Sequence, residues 1–268
     1  MKKNLWLNLC FFLLIFFSIS CLTVPLTGRK QIAFIPEQTM LSMSYAEYGD
    51  FLKNNKLSAD QTQVQRVKTV GARIQKAVEK YMAGNGLSDR LKNYQWEFNL
   101  VESDEVNAWC MSGGKVVVYT GLLPVAADDN GLAVVMAHEI AHAIAKHGEE
   151  RMSQGLISNV GEYALSSALE KKPEKTKQLW MTAFGLGAQY GVLLPYSRLH
   201  ETEADHLGLI FMAMAGYDPK GAIPFWERMA KLKGNSNSLE FLSTHPSDQT
   251  RIENIKTQLP EAMSYFKK

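Results

Sequence analysis

The sequence predicts an α+β domain, mainly helical, with a small β-sheet. Three observations lead there. Apolar residues recur at helical spacing over most of the chain, residues 94–101 alternate with period two, and no internal repeat or long linker interrupts the chain after residue 20. At 268 residues the chain can bury a real core. With 46% apolar and 21% charged residues, wholesale disorder and a low-complexity fibre are excluded.

Residues 1–20 differ from the rest. Lys2 and Lys3 precede an apolar run from Leu5 to Phe17, followed by Ser18-Ile19-Ser20 and Cys21. This reads as a bacterial secretion signal, because the run is shorter than the roughly 20 residues of a membrane span. It resembles a lipoprotein signal, which makes Cys21 the lipidated residue, although Ser18 stands where such signals usually carry Leu. Residues 21–35 contain Pro25, Gly28, Arg29 and Lys30 without a sustained period and are expected to be an N-terminal tether to a domain spanning 21–268.

Met40, Met43, Tyr45, Tyr48 and Phe51 predict a first helix. Ser58 and Gln61 form a capping box ahead of a second, carried by Val64, Val67, Val70, Ile74 and Val78 and ended by Gly84 and Gly86. Tyr94, Trp96, Phe98 and Leu100 then alternate with polar residues as a half-buried strand. Two short strands, 107–109 and 115–119, flank the turn Ser112-Gly113-Gly114. Asp128, Asp129 and Asn130 offer caps for a long helix running to about Met152. Helices are expected over 155–169 and 176–193, around the solvated run Glu170 to Lys177. Leu179 to Leu194 is uncharged but only sixteen residues long, and its glycines predict a buried, closely packed helix rather than a membrane span. Pro195 breaks the chain. Ser197 opens a helix closed by Gly216, Asp218-Pro219 opens one closed by Gly234, and a last helix follows Pro246.

Lys plus Arg total 29 against 27 acids, and removing residues 1–20 takes away two lysines, so no basic stripe suggests nucleic acid as a partner. Of Cys10, Cys21 and Cys110, the first departs with the signal and the second is blocked by lipid. Cys110 is then the only free thiol, read as a packed small hydrophobe.

The informative segment is His138-Glu139-Ile140-Ala141-His142. Four residues advance a helix by about 400°, so the two imidazoles lie one turn apart on one face and can bind one ion together. Glu139 beside them can take a proton from an activated water, the division of labour of zinc hydrolysis. Such a site needs a third protein ligand and an open position. His147, nine residues after His138, is expected on the opposite helix face as a solvated end residue. Glu201 and Asp205 share a helix face, so one can ligate while the other reaches a ligating imidazole; Glu203 is expected to point elsewhere.

These segments resemble the M48 zinc metallopeptidases of the gluzincin type. The resemblance rests on His138 to His142, on Ser197-Arg198-Leu199-His200-Glu201-Thr202-Glu203-Ala204-Asp205, on Asn107-Ala108-Trp109 before Gly113-Gly114 and Val116 to Gly121, and on Thr244-His245-Pro246 with Arg251-Ile252. It covers most of residues 21–260. It implies a zincin-type domain with the small sheet beside the active-site helix and one Zn2+ per chain. His138, His142 and Glu201 would be the metal ligands, Glu139 the general base and acid, and Asp205 the residue orienting a ligating histidine. His245 would stabilise the oxyanion or gate the open position. Asn107 and Ala108 match the edge strand along which the family lays polypeptide substrates, with Ser112 standing where Pro is expected.

The resulting expectation is a zinc-dependent endopeptidase acting on misfolded or misassembled envelope proteins. It would be lipid-anchored through Cys21 and face the periplasm of a bacterial cell envelope, with Leu22 after the cysteine favouring the outer membrane and its assembly machinery as a partner. The competing expectation is a periplasmic chaperone or assembly factor with gated or rare proteolysis.

Overall fold

A computed structural model describes residues 21–25, 27–189, 193–232, 239–245 and 249–267. The secretion-type segment 1–20, Gly234 and Pro246 lie outside these described residues. The chain falls into two compact units, residues 1–39 with 148–195 and residues 40–147 with 196–268.

In the first unit, the segment expected to be a tether forms a hairpin. Strand β1 (Cys21–Thr23) pairs antiparallel with β2 (Lys30–Ile32), Cys21 opposite Ile32. Arg29 grips the buried Glu150 carboxylate with both terminal nitrogens, at 2.9 and 2.7 Å, and the Phe34 amide donates to Ser153 Oγ at 3.0 Å. Those contacts hold the segment without any periodic pattern of its own.

Helix α1 (Glu37–Asn54), whose residues from Met40 onward belong to the second unit, is followed there by helix α2 (Gln61–Gly84). The α2 cap is Asp60 rather than Ser58: its carboxylate accepts from the Thr62 and Gln63 amides at 3.0 and 3.1 Å, while Ser58 Oγ accepts from Asp60 itself. Strands β3 (Glu97–Val101), β4 (Ala108–Met111) and β5 (Lys115–Tyr119) make a sheet of order β3-β5-β4. The expected β4–β5 hairpin is antiparallel, while β3 joins β5 in parallel. Ser112 is accommodated because Gly113 and Gly114, at φ 88° and 84°, carry the turn, and its carbonyl accepts from Ser44 Oγ at 2.7 Å. The β4 edge away from β5 has no strand partner among the described residues. Tyr48 of α1 packs with Val101, Val117 and Tyr119 over one side of the sheet.

Helix α3 (Asp129–Ile144), capped by Asp128, packs against α2 and β4, and every residue from Gly131 to Ile144 is buried. It stops eight residues before the expected end. Lys146 adopts φ 57°, a left-handed conformation that ends the helical path, and a new helix, α4 (His147–Ala168), starts at once. Next comes α5 (Glu174–Ala188), which carries none of the expected burial: Leu179 is 69% and Trp180 56% exposed. Among the described residues, Gly185 and Gly187 have no neighbour within 4 Å of a Cβ position, so these glycines bring no described partner helix close. None of the described helices is long and apolar enough to cross a membrane.

Helix α6 (Leu194–Met214) begins before Ser197, with Pro195 in its first turn, where a missing amide is harmless. Gly216, at φ 81°, closes it as expected. Asp218 caps a short turn leading into α7 (Ala222–Lys231), followed by α8 (Leu239–Thr244) and α9 (Gln249–Tyr265).

Candidate active site

Helix α3 presents His138 and His142 side by side, their rings 4.7 Å apart and nearly perpendicular, with Nε2 atoms separated by 3.1 Å. Helix α6 can reach them because Gly208 lets its backbone approach closely; a Cβ there would sit 3.1 Å from the His138 Cα and N. Glu201 thereby brings Oε2 to 3.3 Å from His138 Nε2 and Oε1 to 3.2 Å from His142 Nε2. His245, just past α8, closes the group: its Nδ1 lies 3.2 Å from His138 Nε2 and 3.0 Å from Glu201 Oε2.

One donor atom from each of these four residues lies within 4.8 Å of all the others. Zinc bonds of about 2.0–2.1 Å in a tetrahedron imply donor separations of about 3.3 Å. The spacings fit such an ion, and the donors, two or three imidazole nitrogens with one carboxylate, are those that zinc prefers.

Glu139 is buried beside this group. Its Oε1 accepts no hydrogen bond among the described residues and lies 3.5 Å from His245 Nε2. A buried carboxylate oxygen without a donor is costly unless something supplies a proton, which is what an attacking water would do.

Asp205 reaches the far nitrogen of the His138 ring: its Oδ1 is 3.0 Å from His138 Nδ1. It is held in turn by Arg251, whose Cζ lies 3.3 Å from the Trp226 ring centre. Burial works against ionised Asp205, but Arg251 and then His138 hold its pKa below the ordinary value. For His138, burial and then Arg251 oppose protonation, yet the carboxylates of Asp205 and Glu201 prevail and hold its pKa at about 9. Burial dominates at His142 and pushes it well below the usual imidazole value. Glu201 stays ionised well below the usual range because His142 and His245 outweigh its burial.

Sequence reasoning missed three residues. His147, expected to be solvated on the opposite helix face, and Glu203, expected to point elsewhere, are 0% and 3% exposed and stand behind His142. Arg251 was visible as part of a motif but without a task; only the fold brings α9 against α6. Asn107 and Ala108, expected along a substrate strand, lie at the start of β4, where Asn107 Oδ1 accepts from the Ala108 amide at 2.9 Å and the Ala108 side chain is buried. Cys110, next along β4, has a thiol pushed well above its ordinary pKa, first by burial and then by Glu139.

The model of Peptidase family M48 matches residues 69–259. The mitochondrial metalloendopeptidase OMA1 of Schizosaccharomyces pombe is 35% identical over 190 residues, 70% of this chain and 53% of that protein. The human mitochondrial metalloendopeptidase OMA1 is 30% identical over 278 residues, 98% of this chain and 51% of that protein. The beta-barrel assembly-enhancing protease of Escherichia coli is 28% identical over 169 residues, 61% of this chain and 34% of that protein. The chain thus spans about half the length of the first two relatives. Relatives named as mitochondrial cover more of it, at higher identity, than the bacterial one, and this overturns the expected location on a bacterial envelope. With the matched region holding His138, Glu139, His142, Glu201, Asp205 and His245, the chain belongs to peptidase family M48.

Proposed function

We propose that the chain is a zinc-dependent endopeptidase that removes misfolded or misassembled proteins. The observation that carries this reading is the convergence of His138, His142 and Glu201 beside the undonated Oε1 of Glu139. Zinc held there would polarise the scissile carbonyl and the attacking water. Glu139 takes the proton from that water as its oxygen bonds to the carbonyl carbon, and delivers it to the amine as the C–N bond breaks. Asp205 keeps His138 in the tautomer whose Nε2 lone pair faces the site. The open edge of β4 suits an extended polypeptide, whose backbone could add there as a further strand.

A second reading has its own support. His245 Nδ1 belongs to the donor group, the arrangement expected of a residue that gates the fourth position and makes cleavage rare, as in an assembly factor with latent proteolysis. Zinc content and cleavage of an unfolded protein such as casein are the deciding measurements, on wild type, Glu139→Gln and His245→Ala. The endopeptidase reading expects one zinc per chain and a loss of about 10²–10⁴-fold in cleavage for Glu139→Gln with zinc retained. Gating expects His245→Ala to cleave faster than wild type; an oxyanion role expects a loss of about 10²-fold or more. A protein without zinc after native purification sinks both readings.

A further inference from the structure

We infer that His147 and Glu203 are positioning residues for His142, forming a buried relay that fixes which of its ring nitrogens carries the proton; this rests on the metalloenzyme reading above. His142 directs Nε2 toward Glu201 and His138, while its Nδ1 lies 2.9 Å from His147 Nδ1. The other nitrogen of His147 lies 3.2 Å from Glu203 Oε2. The His147 ring stacks on His200, with centroids 4.2 Å apart and planes 16° from parallel.

A neutral imidazole has one donor nitrogen and one acceptor. Two imidazoles facing each other through Nδ1 can therefore share a proton in either of two orders. The Glu203 carboxylate decides between them, because it accepts only and so draws the His147 proton to Nε2. His147 Nδ1 then accepts from His142 Nδ1–H, and His142 Nε2 is left with its lone pair facing the site. The reverse order would put a proton on His142 Nε2 and abolish it as a ligand. His138 receives this service directly from Asp205; His142 receives it through an intervening ring.

The backbone is bent to make this relay. In an uninterrupted helix, five residues turn by about 500°, carrying His147 some 140° away from His142. The left-handed Lys146, φ 57° and buried, interrupts α3 and returns His147 to the His142 side. Left-handed conformation is unfavourable for a residue with a Cβ such as lysine, and such strain collects at functional positions.

The test uses the full chain, freed of metal and titrated with Zn2+ against a competing chelator, alongside 15N NMR of the histidine rings in the metal-free protein. Wild type should bind one zinc and show His142 protonated at Nδ1. Glu203→Gln, nearly the same size, and His147→Phe, which keeps the stack on His200, should each weaken zinc binding by about 10–100-fold. Glu203→Asp should recover most of that loss. A merely structural role would lower the melting temperature of the variants and leave zinc affinity and the His142 tautomer unchanged, which overturns the relay. Wild type with His142 protonated at Nε2 overturns it without any variant, so a variant that fails to fold leaves the test intact. Wild type that binds no zinc overturns the metalloenzyme reading instead.

Discussion

The Arg251 guanidinium closes on the Asp205 carboxylate through two contacts, Nε to Oδ2 at 2.8 Å and Nη2 to Oδ1 at 2.7 Å. Both side chains are nearly excluded from water, at 6% and 4% exposure. Asp205 can thus remain an anion in the interior and still have an oxygen directed at His138 Nδ1.

Removing one member of such a pair leaves the other charged and buried. Arg251→Met should therefore destabilise the protein by about 3–5 kcal/mol, read from urea unfolding. Adding Asp205→Asn to Arg251→Met should restore part of that loss, since the double change leaves no uncompensated charge. Equal unfolding midpoints for wild type and Arg251→Met would show that the pair does not hold Asp205.

The approach of α6 to α3 is a separate requirement. A Cβ on Gly208 would press on the His138 backbone at 3.1 Å, and neither backbone can yield as a flexible side chain would. Gly208→Ala should cost about 1–3 kcal/mol in stability and weaken zinc binding, because Glu201 must withdraw with its helix. Unchanged zinc affinity in Gly208→Ala, measured by chelator competition, would mean that α6 has slack there.

How much of this was legible depended on whether the answer lay along one helix. His138 and His142 declare their shared face by spacing alone, and Glu201 with Asp205 does the same on α6. His147 was misassigned because extrapolating one helical path from His138 assumes unbroken backbone, and a lysine gives no warning of positive φ. Glu203 inherited that error, since its face has meaning only when His147 lies behind His142. The cap on α2 went to Asp60 over Ser58 because a carboxylate accepts from two amides at once. The parallel pairing of β3 with β5 is a long-range choice that strand periodicity does not encode. The uncharged run from Leu179 suggested burial, but composition records only what a helix tolerates, and among the described residues nothing packs on Gly185 or Gly187.

Alkaline stability offers a check on the core between α2 and α6. Tyr81 meets Phe211 edge to face, with ring centroids 5.5 Å apart, and its pKa is raised to about 12, first by burial and then by Tyr265 and Glu261. An unfolded tyrosine titrates near 10, so the folded protein holds this phenol proton more tightly than the unfolded chain does. The stabilisation is complete below about pH 10 and is lost as pH rises through the folded value, because the unfolded chain releases its proton first. Urea midpoints of wild type should accordingly fall between pH 10 and 12 more steeply than those of Tyr81→Phe, which has no proton to release there. Parallel midpoint curves for the two proteins would mean that the Tyr81 hydroxyl is not shielded from water.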